Sequence, residues 1–144
     1  MKDKDGILDR LFDGKDDERD FDKINDINKI TEKIIGCSFT VSNTLGCGFL
    51  EKVYENAFAH ELRKNKLNVL QQHSIKVFYD EIIVGEYVAD LFVENKVIVE
   101  IKAIKALEET HISQCLNYLK ATNNKIGLLL NFGKAKIEIK RVAL

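Results

Sequence analysis

Apolar residues first recur along the chain at helical intervals. Ile24, Ile27, Ile34, Val41 and Leu45 fall three, four or seven positions apart, with Ile30 and Cys37 beside them. That spacing is one face of a helix and predicts a first helix starting near Asp22. Leu45-Gly46-Cys47-Gly48 ends it, because two glycines so close weaken a helix and permit a sharp turn. A second helix is predicted from about Phe49 to Lys64, with Leu50, Val53, Tyr54, Ala57, Phe58 and Leu62 inward. The period then changes to two. Ile75, Val77 and Tyr79 alternate, a turn lies near Asp80-Glu81, and a longer strand runs from about Val84 to Val93. Beyond a turn at Glu94-Asn95-Lys96, Val97 to Ala103 reads as a strand, and Glu108 to Ala121 as a helix with Ile112, Cys115, Leu116 and Leu119 inward. Two strands close the chain, Ile126 to Asn131 and Lys136 to Val142. The order ααβββαββ, with a nearly all-apolar strand after a helical crossover, predicts an α/β (α+β) domain whose mixed sheet is flanked by helices.

Composition narrows the function classes. The 144 residues suit one domain with a real core. The longest apolar runs, such as Ile126 to Leu130, are far short of the roughly 20 residues of a membrane span, so no membrane partner is expected. The N-terminus is rich in Asp and Lys and does not read as a secretory signal. Cys37, Cys47 and Cys115 are odd in number and far apart, which predicts three structural thiols in a reduced, cytoplasmic protein. Net charge is −1, but residues 1–22 carry nine acids and five bases and the remainder is +3. Residues 1–22 are therefore expected to be a mobile acidic tail, with an amphipathic turn at Ile7 to Phe12 and a potential to compete for a basic cleft; residues 23–144 form the domain. A near-neutral total is no argument against a polyanionic partner.

The informative anomaly is Val97-Ile98-Val99-Glu100-Ile101-Lys102, a buried strand pattern interrupted by two charges on one face. Asp90, in the preceding strand, shares a face with Val88 and Phe92. With Asn95 at the centre of a three-residue turn, Val93 pairs with Val97 and Asp90 stands opposite Glu100. Like charges so placed repel, and burial compounds the cost unless Lys102 or a divalent cation compensates. Oxygen ligands suit Mg²⁺ or Mn²⁺. The plainer alternative is a Glu–Lys surface pair on an edge strand. Glu51 falls in the first turn of the second helix, either facing the sheet or simply favoured there by the helix dipole. His111, Gln114 and Tyr118 share one edge of the later helix, as a functional row or an ordinary polar boundary. His60 and His73 have no partner spacing.

Together these residues are familiar. Asp90 followed by Glu100-Ile101-Lys102 resembles the D-x(n)-E-x-K core of the PD-(D/E)XK nuclease superfamily, with Ala89 in place of the proline of that name. Gln114 to Tyr118 resembles the QxxxY motif of its RecB-like and lambda-exonuclease-like branches. Gly48-Phe49-Leu50-Glu51-Lys52-Val53-Tyr54 is similar to the signature of the GxxExxY proteins, a small prokaryotic family in that superfamily, and Gly127 to Gly133 resembles that family's late strand and turn. The resemblance spans about Ile24 to Val142.

It implies a restriction-endonuclease-like core and a metal-dependent nuclease that hydrolyses phosphodiester bonds, most readily in DNA. Asp90, Glu100 and the Ile101 carbonyl would hold Mg²⁺ (or Mn²⁺), Glu51 would complete the shell directly or through water, and Lys102 would act on the attacking water. Gln114 and Tyr118 would position Lys102, water or phosphate. Arg63, Lys64, Lys66, Lys105, Lys134, Lys136, Lys140 and Arg141 are candidate phosphate contacts. No small-molecule cofactor is implied. The alternating last strand could form a homodimer if it is an edge. The alternative is a nucleic-acid-binding or interaction module on the same fold with little or no turnover.

Overall fold

The computed structural model describes residues 14–144, so the expected turn at Ile7 to Phe12 and the first part of the expected acidic tail lie outside the described residues. Helix α1 spans Gly14–Leu45 and α2 spans Glu51–Lys64. Strands β1 (Val69–Tyr79), β2 (Ile82–Val93) and β3 (Val97–Lys102) follow, then α3 (Glu109–Thr122), β4 (Ile126–Asn131) and β5 (Glu138–Ala143). The order ααβββαββ is as expected, and the five strands form one sheet in the order β1-β2-β3-β4-β5. Only β3 and β4 run parallel, joined by the α3 crossover; every other pair is antiparallel.

Helix α1 begins well before Asp22, a departure from the sequence reading. Its described span takes in part of the segment that composition alone reads as an acidic tail. Strand β1 also starts earlier than Ile75, because Leu67 and Val69 are buried and the polar Gln71-Gln72-His73 does not end the strand.

Helices cover both faces of the sheet around β3 and β4, while the outer half of the β1–β2 hairpin is exposed. Ile34, Cys37, Tyr54, Phe58 and Leu62 of α1 and α2 meet Leu91, Val93, Val97, Val99, Ile101, Leu128 and Leu130. Cys115, Tyr118 and Leu119 of α3 meet Ala89, Phe92, Ile98 and Leu129 on the other side. Alternation therefore turns Glu100 and Lys102 toward the face that carries α3. A Cβ at Gly127 would come within 2.6 Å of Cys115 Sγ, so α3 lies hard against β4 there.

A polar buckle fixes the end of β3. The Phe132 N–H donates to the Lys102 carbonyl (2.8 Å). Asn131 is fully buried; its Oδ1 accepts from the Ile104 and Gly133 N–H groups, and its Nδ2 donates to the Ile104 carbonyl and Glu138 Oε1. Residue 133 must be glycine for this approach, since a Cβ there would overlap the backbone of Ala103 and Ile104.

Candidate active site

The β2–β3 hairpin has the expected register, with Val93 opposite Val97 and Leu91 opposite Val99. Asp90 and Glu100 stand next in line, and there the ladder gives way to the two carboxylates. The Asp90 N–H donates to Glu100 Oε1 (3.1 Å), and the Ile101 N–H donates to Asp90 Oδ2 (2.8 Å). Each acid thus takes a main-chain donor from the opposite strand, which locks both side chains.

Glu100 is buried and Asp90 half-buried, which makes the pair costly. Glu100 is only 5% exposed. Burial, reinforced by the Asp90 charge, pushes its carboxyl up from 4.5 to about 8. Burial also raises Asp90, against the lowering effect of the Ile101 N–H. The surface-pair alternative for Glu100 and Lys102 is excluded by this burial. Lys102 is half-buried at the end of β3, and its charge lowers the pKa of Glu51, Asp90 and Glu100 without forming a direct ion pair among the described residues.

Glu51 is the first residue of α2, placed there by the turn before it. Gly46 and Gly48 take φ values of +68° and +117°, and the Tyr54 hydroxyl closes the turn by donating to the Gly46 carbonyl (2.6 Å) and accepting from the Phe49 N–H (3.2 Å). The Tyr54 ring stacks on Phe132 at 4.9 Å. The glycine–tyrosine motif is thereby clamped onto the late Asn131-Phe132-Gly133 turn, and α2 starts above the end of β3. Burial raises the Glu51 carboxyl, while Lys102 lowers it and Asp90 raises it further, so the three lie within electrostatic reach.

On α3, Gln114 Nε2 donates to the Tyr118 hydroxyl (2.8 Å). Burial and then the charges of Glu100 and Asp90 push Tyr118 up to about 12, which places it beside the acid pair. Tyr87, His111, Gln114, Asn117 and Tyr118 line a groove of about 510 Å³ along the helix. His111 has a structural duty: its Nδ1 accepts from the Glu108 N–H (2.9 Å) in a capping box that starts α3.

Some expectations are not met. Arg63, Lys64 and Lys66 follow α2 to its far end, about 20 Å of helix away from Glu51. Arg141 is tied to Asn28 and Thr31 of α1. Lys105, just past β3, stays near the site in sequence. Cys37 and Cys115 are buried as expected of structural thiols, whereas Cys47 is exposed in the glycine turn. Two polar residues were missed. Glu55, one turn after Glu51, is 3% exposed, and Gln72 reaches both Glu55 and Asp90. The i, i+4 spacing of the two glutamates was the available signal for Glu55; nothing in the sequence marked Gln72.

Among the described residues, no three His, Cys, Asp or Glu side chains are gathered tightly enough to cage a metal ion. The donor set nevertheless fits a hard divalent cation seated on two carboxylates. The buried Glu100 and the half-buried Asp90 both have raised pKa values, and Lys102 offsets their charge only in part; such an ion supplies the remaining positive charge.

The fold is thus a mixed sheet between helices, with paired acids and a lysine at the end of a buried strand. The model of the PD-(D/E)XK nuclease superfamily matches residues 28–142, and the chain belongs to that superfamily. Its members are in general hydrolytic nucleases acting on nucleic acid, typically with divalent metals. Among solved structures the chain is similar to SSO0001, with 15% identity, a TM-score of 0.52, and coverage of 64% of this chain and 48% of that one. The likeness shows the fold, and the match spans about half the length of SSO0001. Comparison with curated proteins gave no match. Among the described residues no helix is long and apolar enough to cross a membrane.

Proposed function

We propose that this chain is a metal-dependent phosphodiesterase of the GxxExxY type, cutting nucleic acid, with DNA as the first substrate to test. The observation that carries the reading is the Asp90–Glu100 pair, with Glu100 buried, each acid hydrogen-bonded to the opposite backbone, and Lys102 on the same strand face as Glu100.

Asp90 and Glu100 would hold Mg²⁺ or Mn²⁺, with the Ile101 carbonyl as a third protein ligand. Glu51, within electrostatic reach of Asp90 and Lys102, would complete the shell directly or through water. The bound ion would polarise a phosphoryl oxygen and make its water a better nucleophile. Lys102 orients the attacking water and offsets negative charge as the water oxygen bonds to phosphorus and the ester P–O bond breaks. The products are a phosphate monoester and a free hydroxyl. The Tyr118 hydroxyl, kept protonated by burial and the neighbouring acid charges and held by Gln114, would donate toward water or a phosphate oxygen, or accept from the Lys102 ammonium.

The test is cleavage of a panel of DNA and RNA. Wild type cuts with Mg²⁺ or Mn²⁺, and Asp90→Ala and Lys102→Ala do not; cleavage by both variants at the wild-type rate would end the assignment. A second reading, a binding module with little turnover, is favoured by the absence of a three-ligand cluster among the described residues. It predicts DNA binding without metal or cleavage. Strand β5 is a sheet edge, which supports a homodimer paired through it.

A further inference from the structure

The backbone of β1 is distorted in mid-strand at Gln72. Its φ is +52°, in the left-handed region that side chains other than glycine avoid. The residue count is unbroken on either side, Gln71 opposite Leu91 and His73 opposite Ala89, so Gln72 stands opposite Asp90; yet these two do not pair in the ladder. Their contact is through side chains. Gln72 Nε2 lies 2.5 Å from Glu55 Oε1 and 3.4 Å from Asp90 Oδ1.

An amide nitrogen carries two hydrogens, and ionised carboxylates only accept. The one Nε2 can therefore serve both acids at once. Glu55 is a firm anchor: it is buried, and its Oε2 accepts from Lys52 Nζ (2.9 Å) and Gln71 Nε2 (2.8 Å). With the Ile101 N–H on Oδ2 and the Gln72 amide on Oδ1, both oxygens of Asp90 are directed by donors. A strained backbone persists where its surroundings over-determine it, and here those surroundings are the acids of the site.

We propose that Gln72, braced by Glu55, is a positioning residue that sets the orientation of the Asp90 carboxylate for binding a divalent cation. The inference rests on the reading of Asp90 as a metal ligand. Hydrogen bonds behind a ligand fix its geometry, and their loss typically costs about 10–100-fold in metal affinity.

The test is calorimetric titration of the full chain with Mn²⁺ alone, alongside thermal unfolding in EDTA. Gln72→Gly removes the amide while glycine adopts φ +52° freely. It is expected to weaken Mn²⁺ binding about 10-fold while unfolding at or above the wild-type temperature, an opposition that a merely structural role would not give. Asn56→Ala breaks another bond of the same α2–β1 seam, Gln71 Nε2 to Asn56 Oδ1 at 3.0 Å, and is expected to bind Mn²⁺ as wild type does. If Asp90→Ala loses Mn²⁺ but Gln72→Gly binds like wild type, or if Asn56→Ala weakens binding equally, the positioning role is overturned and the metal reading stands. If wild type binds no Mn²⁺, or Asp90→Ala binds it unchanged, both are overturned.

Discussion

Replacing Glu100 with glutamine should make the metal-free protein more stable at alkaline pH. Gln is nearly isosteric, its carbonyl can still accept from the Asp90 N–H, and its amide can donate to the Asp90 carboxylate. Glu100 ionises at about 8 in the folded state, against 4.5 ordinarily. Between those values the unfolded chain has released a proton that the folded chain keeps, so folding stability falls as pH rises from 4.5 and levels off above 8. At about 1.4 kcal/mol per pKa unit the ceiling is about 5 kcal/mol. Asp90 and Glu100 share the repulsion and titrate as a pair, so Glu100→Gln should recover about 2–3 kcal/mol at pH 8.5 and almost nothing at pH 4.5. For a domain of this size that is a rise in Tm of about 6–12 °C. Thermal unfolding in EDTA across pH 4.5–9 reads it directly. Adding Mg²⁺ at pH 8.5 should close the gap by stabilising wild type alone. A wild-type Tm that is flat with pH, together with a variant no more stable at pH 8.5, would refute the idea that Glu100 is buried beside Asp90 with too little positive charge to offset it.

Other outcomes follow from the same geometry. Tyr54→Phe removes the hydroxyl that bridges Gly46 and Phe49 and should cost about 1–2 kcal/mol in chemical denaturation. Because the turn also places Glu51, Mn²⁺ affinity should fall with it. Gly133→Ala forces a Cβ into the backbone of Ile104 and should cost about 1–3 kcal/mol or more, visible as lost soluble yield or a lowered Tm. Tyr118→Phe loses only the Gln114 bond, so it should slow cleavage while shifting Tm by a few degrees at most.

The candidate site was legible where one local rule governed. Counting outward from Asn95 gave the hairpin register, and with it the facing of Asp90 and Glu100, because strand side chains alternate strictly. The bounds of β4 also match, since an all-apolar run between polar turns leaves little choice. Long-range interactions were not legible. Nothing local shows that Asp90 would accept from the Ile101 N–H in place of the ladder, or that Gln72 would leave the strand conformation to reach Glu55 and Asp90. The extension of α1 before Asp22 was hidden for another reason: an acid-rich segment with few apolar residues carries no helical period and reads as tail by composition. Basic clusters were the weakest guide, because Arg63 and Arg141 have neighbours of their own to bind.

The central claim is that Asp90, Glu100 and Lys102 form a site for metal-assisted phosphodiester hydrolysis. Single-turnover cleavage of labelled single- and double-stranded DNA with Mg²⁺, comparing wild type with Lys102→Ala, tests it most directly. The account predicts product from wild type that EDTA abolishes, and a rate at least about 100-fold lower in the variant. Equal rates for the two proteins, or DNA bound by wild type and left uncut with or without metal, would contradict it.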